Sequence, residues 1–200
     1  MPKKEPTEVW RDYSLAGGEN YREWLVTLPW YPVTYTRSHF DFRNVLIHIR
    51  CNERVDQHGQ RILFLQEIQS DRAQDWAQWQ RRQKINKTND VGTPQPPFSK
   101  DWPALAVKLM LLHAVAWQFD AVAWMTGAMQ VDQFGREHSW FKTLYDEILP
   151  KSVLQALSVH GGALVELEIS DSSQEHTVMG VLLDEELRSS LSHRGLPVWG

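Results

Sequence analysis

Asn44-Val45-Leu46-Ile47-His48-Ile49-Arg50-Cys51 and, one short connector later, Arg61-Ile62-Leu63-Phe64-Leu65-Gln66-Glu67-Ile68-Gln69 are the stretches whose reading decides the fold. In the first, Val45, Ile47, Ile49 and Cys51 fall on one side and Asn44, Leu46, His48 and Arg50 on the other, the period of two that a half-buried strand imposes. The same period in the second puts Ile62, Phe64 and Ile68 opposite Leu63, Leu65, Glu67 and Gln69. The connector, Asn52 to Gln60, holds Asp56-Gln57-His58-Gly59, a turn composition, so the two strands are expected to pair as an antiparallel hairpin. A connector of this length leaves the register open, and with it whether His48 and Arg50 stand beside Glu67 and Gln69.

Upstream of the hairpin, residues 1 to 20 are polar, end in Gly17-Gly18 and read as a loosely docked, flexible arm. Tyr21 to Leu28 reads as a strand stopped by Pro29, and Trp30 to Arg43 as an ordered loop. Downstream, Ser70 and Asp71 can cap a helix over 72–85 that is polar almost all round and should lie on the surface. Gly92, Pro94, Pro96 and Pro97 mark a long irregular connection. Asp101-Trp102-Pro103 opens the most apolar helix, with Asp101 as a possible cap and Leu105, Leu109, Leu112, Val115, Ala116 and Phe119 as its core side. Ala121 to Met125 reads as a short buried strand ended by Thr126-Gly127. Helical segments follow over 139–149 and 151–159, then a strand pair over 163–169 and 176–183, then a helix capped by Asp184. The expected fold class is therefore α+β: one domain over 21–200, with a mostly antiparallel central sheet flanked by helices and a long loop at about 86–102.

Bulk properties limit the function classes. Two hundred residues make one ordinary domain, able to bury roughly 70% of its unfolded surface. The apolar run from Ala104 to Phe119 is broken by Lys108, His113 and Gln118 and is too short for a bilayer, and no apolar run follows Lys3-Lys4, so neither a membrane span nor a secretory signal is expected. Cys51 is the one cysteine, which excludes an internal disulfide and suits a reducing cytoplasm. The histidines lack metal-site spacing, so no metal is expected. A net charge of −4 and a pI near 6.1 make nucleic acid an unfavoured partner. The local cluster Arg81-Arg82-Gln83-Lys84, followed by Lys87, is read as complementing a helix C-terminus, with nucleic-acid contact as the alternative.

Candidate site residues gather at the end of the second hairpin strand. Glu67, Gln69 and Asp71 alternate toward one side, next to Ser70. If the register brings His48 and Arg50 to them, a carboxylate beside an imidazole could move protons, whereas a plain Glu67–Arg50 salt bridge is the structural alternative. His39, in a loop, and Thr126, Gly127 and Gln130, just past a buried strand, are further pocket candidates, because ligands often bind beyond strand ends. Each could equally serve turn geometry. Ten tryptophans include Trp76, Trp79 and Trp102 in polar or loop contexts, where exposed rings would suit a partner protein and local packing is the alternative.

Several segments, in order, resemble one family: Gly18-Glu19-Asn20-Tyr21-Arg22-Glu23, Ser38-His39-Phe40-Asp41 running into Asn44-Val45-Leu46, Phe64 to Asp71 with its Glu67-Ile68-Gln69-Ser70-Asp71 string, Ala123-Trp124-Met125-Thr126-Gly127, Phe141 to Pro150, and Leu183 to Pro197. Together they resemble the phage large-polyvalent-protein-associated domains. The resemblance implies a phage or mobile-element accessory protein acting on a host macromolecule, such as a defence component. The hairpin, the Ala121 to Met125 strand and Phe141 to Tyr145 also resemble the core of GNAT-type N-acetyltransferases. That similarity would imply acetyl-CoA as cofactor, Glu67 as general base and Tyr145 as general acid, with Asp71 and His39 as further catalytic candidates. Gln69 to Ala77 has no glycine where such a fold brings its backbone against a pyrophosphate, which favours a binding role over an acyltransferase.

Overall fold

The computed structural model describes residues 10–36, 42–86, 95–135 and 139–197. Within them the chain is α+β. Six strands form one open sheet: β1 (Glu19–Thr27), β2 (Val45–Val55), β3 (Arg61–Gln69), β4 (Ala121–Trp124), β5 (Val165–Ser170) and β6 (Glu175–Leu182), in the order β1-β2-β3-β4-β6-β5. Every neighbouring pair is antiparallel except β3 with β4. That parallel pair is joined by α1 (Asp71–Asn86) and α2 (Trp102–Ala116). After β4 come α3 (Gly127–Phe134), α4 (Ser139–Lys142), a π-helical turn (Thr143–Ile148) and α5 (Leu149–Leu157), and the chain ends with α6 (Glu185–Arg194).

The β2–β3 hairpin forms as its alternation predicts, with the turn closed by Asp56, whose carboxylate accepts from the His58 and Gln60 amides at 2.8 and 2.9 Å. Its register brings Arg50 opposite Glu67 and His48 opposite Gln69. The strict alternation expected along β3 breaks, however. The register shifts between Arg50, which faces Glu67, and Cys51, which faces Leu65, leaving Gln66 as an extra residue. Beyond this bulge the faces exchange. Ile68 joins Leu63 and Leu65 in the main core, Ile62 and Phe64 belong to a second cluster, and Glu67 turns to the side of Arg50.

The main core lies between one face of the sheet and the helices, built by Ile47, Ile49, Leu65 and Val122 against Ala106, Leu111, Val153 and Leu187. α2 faces it with Trp102, Pro103, Leu105, Ala106, Val107, Met110, Leu111 and Ala114. Of the side predicted from spacing, Leu105 and Phe119 are in the core and Leu109 and Val115 pack against it half-buried, while Leu112 is half-buried and Ala116 exposed, so the buried face is turned from the predicted one. α2 is apolar almost all round, so its period does not select a face. Asp101 holds the N-cap position without a side-chain capping bond. Ser70 does cap, its hydroxyl accepting from the Ala73 amide at 3.2 Å, and Asp184 accepts from the Leu187 amide at 2.8 Å. α3, whose sequence was read only as the end of a strand, is started by Thr126 and stopped by Gly135 at a φ of 60°.

Among the described residues the opposite face of the sheet carries no comparable helical layer over β1, β2 and β3, apart from Phe134 of α3 beside Arg50. Its small apolar cluster, Ile62, Phe64, Ala121, Ala123, Met125, Leu167, Ile169 and Val178, sits beside a polar trough. The part of the expected loose arm that is described, residues 10–18, is not loose: it crosses this trough and is fixed to it by hydrogen bonds.

Candidate functional site

The trough is built by strand alternation. On β2, His48, Arg50, Asn52 and Arg54 point away from the main core, and each is at most 4% exposed. β1 adds Glu23 and β3 adds Gln66 and Glu67, all buried. Direct pairing places Glu23 opposite Arg50 and Arg50 opposite Glu67, so two carboxylates flank one guanidinium. Arg50 Nε lies 2.7 Å from Glu67 Oε2, and its guanidinium stands 5.6 Å from the centre of the Phe134 ring. The structural salt bridge is therefore the arrangement Glu67 adopts.

Glu23 is the residue that sequence reasoning missed as a site member. Its Oε1 accepts from the Tyr21 hydroxyl at 2.9 Å and from the Trp10 amide at 2.8 Å, and its Oε2 lies 3.1 Å from His48 Nε2. Burial alone would raise its pKa, but the bonds from His48, the Trp10 amide and Tyr21 outweigh this and hold the carboxyl below 4.5. Burial and the adjacent carboxylate push the Tyr21 hydroxyl well above 10. The available signal was that Tyr21 and Glu23 alternate on a strand next to the hairpin. Arg54, drawn down to about 10 by burial, against the pull of Asp171, bonds the carbonyls of Leu15 and Ala16 at 2.8 Å and also that of Ser170.

The remaining predicted residues separate. Tyr145 is fully buried; its hydroxyl accepts from the Ile68 amide at 2.8 Å and donates to the Ile68 carbonyl at 3.3 Å. Burial and then Glu67 push its pKa well above 10, and its hydroxyl is already engaged by the Ile68 peptide on both sides. Gln130 Nε2 bonds the Gln66 carbonyl. Tyr145 and Gln130 thus occupy the edge of β3 where it runs on past the end of β4. Thr126 accepts from the Met129 amide at 3.2 Å, and the Gly127 amide donates to Asp146 at 2.8 Å, so the start of α3 is already occupied. A side chain at Gly127 would collide with the Lys142 backbone at 2.6 Å. Gln69 Nε2 donates to Asp71 at 3.4 Å, placing Asp71 at the first turn of α1, outside the Glu23–Arg50–Glu67 row. His39 lies outside the described residues.

Glu67 is thus engaged by Arg50. A cavity with about 10 Å³ of room for a water centre lies on the other face, lined by apolar groups such as Ile68, Leu111, Trp124 and Val153; such a void stays dry. Cys51 is buried, and its thiol is pushed up to about 12 by burial. Among the described residues no cluster of His, Cys, Asp and Glu is arranged to hold a metal, and no helix is long and apolar enough to cross a membrane.

Of the expected partner-facing rings, Trp102 is a core residue, 3% exposed, packed near Trp140 at 6.2 Å. Trp76 and Trp79 are half-buried on α1 and stack on each other, 4.7 Å between centroids and 21° between planes. α1 is tied to the loop after β1, with Arg72 over the Tyr31 and Tyr35 rings at 4.4 and 5.4 Å and Asp75 accepting from the Tyr35 hydroxyl at 3.1 Å. Trp30, 6.3 Å from the Tyr31 ring at this junction, is 67% exposed, and Phe42, in the same loop before β2, is 48% exposed.

The fold and the site define an α+β protein with a closed helical face and a strapped polar face. No family model matches the chain, and neither a curated protein nor a solved structure matches it.

Proposed function

We propose that this chain is a phage or mobile-element accessory protein that works by binding a host protein, a component of host defence, through aromatic groups on a GNAT-like scaffold. The scaffold reading is supported by the strand order and by its single parallel pair, β3 with β4. One observation carries the choice of binding over catalysis. In a splayed parallel pair that admits an acyl carrier, the strand edge past the splay must be free, and here Gln130 and Tyr145 fill it. Glu67, the base of an acetyltransferase reading, is held by Arg50. The contact surface is assigned to the Trp76–Trp79 stack with exposed Trp30 and Phe42, since tryptophan and other aromatic side chains are enriched where proteins meet.

Two measurements test the reading together. Acetyl-CoA at millimolar concentration should leave the melting temperature unchanged, because a ligand selective for the folded state would raise it. A host protein retained by the immobilised chain and identified by mass spectrometry should be lost from a Trp76→Ser/Trp79→Ser variant of unchanged melting temperature. A clear thermal shift with acetyl-CoA, or equal retention by the double variant, overturns it.

A further inference from the structure

Residues 10–18 are held to the sheet mainly through their backbone. Glu23 takes the Trp10 amide and Gln66 the Leu15 amide. Arg50 takes the carbonyls of Trp10 and Tyr13, both at 3.3 Å, and Arg54 those of Leu15 and Ala16. All four recognising side chains are buried, from 0% to 8% exposed. Side chains add to this: the Arg11 guanidinium stands 5.9 Å from the centre of the Tyr21 ring, Trp10 packs near Tyr13 at 5.5 Å, Tyr13 is 52% exposed, and Leu15 packs, partly buried, on the second apolar cluster. Gly17, at a φ of 82°, and Gly18 let the strap leave the trough, and a side chain at Gly18 would overlap Asn52 at 1.7 Å.

A face of ionic and amide groups differs from an apolar one in what uncovering it does. Lifting a strap from apolar residues exposes them to water, whereas lifting it from Glu23, His48, Arg50, Arg54 and Gln66 restores hydration to groups that burial had deprived of it. With the strap in place, Arg54 Nε, Asn52 Oδ1 and Gln66 Nε2 are buried without a hydrogen-bond partner among the described residues.

We propose that this trough is a peptide-binding site that reads main chain, filled in cis by residues 10–16, and that its occupant in trans is an extended segment of a partner protein. Carboxylate and amide acceptors placed for N–H groups, and guanidinium donors placed for carbonyls, fit the alternating groups of a polypeptide backbone. The site is separate from the Trp76–Trp79 surface and does not depend on the function assigned to that surface. Occupation in trans requires the strap to lift, so apparent affinity falls in proportion to the fraction of molecules with an open trough.

The test uses the full-length protein and a fluorescein-labelled peptide of residues 10–18, Trp-Arg-Asp-Tyr-Ser-Leu-Ala-Gly-Gly. Leu15→Ala removes the strap's apolar anchor and leaves the trough intact, so it should bind the peptide at least ~10-fold more tightly than the unaltered chain, as a larger open fraction requires. Adding Arg54→Met to Leu15→Ala should abolish that binding, and circular dichroism of both variants establishes that they are folded. Peptide binding no tighter for Leu15→Ala than for the unaltered chain, or binding that survives Arg54→Met, overturns the proposal. A concentration-dependent dimer of Leu15→Ala that excludes the peptide would assign the trough to a second copy of the chain and overturn the partner assignment.

Discussion

The two faces of the sheet are covered in different ways. On one, Ile47, Ile49, Leu65 and Val122 meet four helices in a core whose residues are nearly all below 5% exposure. On the other, residues 10–16 bond through their backbone to Glu23, Arg50, Arg54 and Gln66, all but the Gln66 bond being charge-assisted, and the Phe134 ring stands beside Arg50. The first face is held by removal of apolar surface from water, about 25 cal/mol per Å², and admits no substitute for its packing. The second exchanges hydration for hydrogen bonds with little net gain, which makes it geometrically specific and energetically replaceable.

That contrast is broken most severely at Arg50. Arg50→Met leaves Glu67 buried without its cation and should destabilise the protein by about 3–5 kcal/mol, similar to the roughly 2–5 kcal/mol expected for Leu111→Ala on the other face. The faces then diverge. Adding Glu67→Leu to Arg50→Met removes the stranded carboxylate and should recover most of the loss in urea denaturation. A double variant no more stable than Arg50→Met would mean that the polar face is as irreplaceable as the core.

The same contrast governs what the sequence discloses. Strands β2 and β3 were legible because alternation is imposed by the strand itself, and with Ala121 to Trp124 they define the α+β class. The face of α2 was not, because a helix apolar on all sides packs in whatever rotation its neighbours allow. The bulge at Gln66 was not either, since it is set by pairing across the hairpin, and it is what turns Glu67 to Arg50 while sending Ile68 to the core. The row Glu23–Arg50–Glu67 needed the β1–β2 register as well, so half of it was visible and Glu23 was not. Trp102 stands between a proline-rich loop and a helix, where local composition resembles a surface and only tertiary packing buries the ring.

A smaller effect sharpens the comparison through pH. The Glu23 carboxyl is held below 4.5 in the fold, so its contribution is complete above that value and is lost as pH falls through the depressed folded one. Asp171, lowered by its bonds to His176 and Ser173, loses its own contribution in acid, so the informative quantity is the difference between the unaltered chain and Glu23→Gln. That difference should be about 1.5–3 kcal/mol near neutrality and should shrink toward zero below pH 4. A difference independent of pH would exclude the ionised carboxylate as the latch.

Native-state hydrogen exchange at neutral pH tests the contrast between the faces most directly. The Trp10 and Leu15 amides, bonded to Glu23 and Gln66, should exchange through a local opening well below the global unfolding free energy, while amides of Ile49 and Leu65 exchange only on global unfolding. If strap and central-strand amides exchanged with one common free energy and one common denaturant dependence, the strap would be part of the core, and the division of the sheet into a closed face and a latched one would be contradicted.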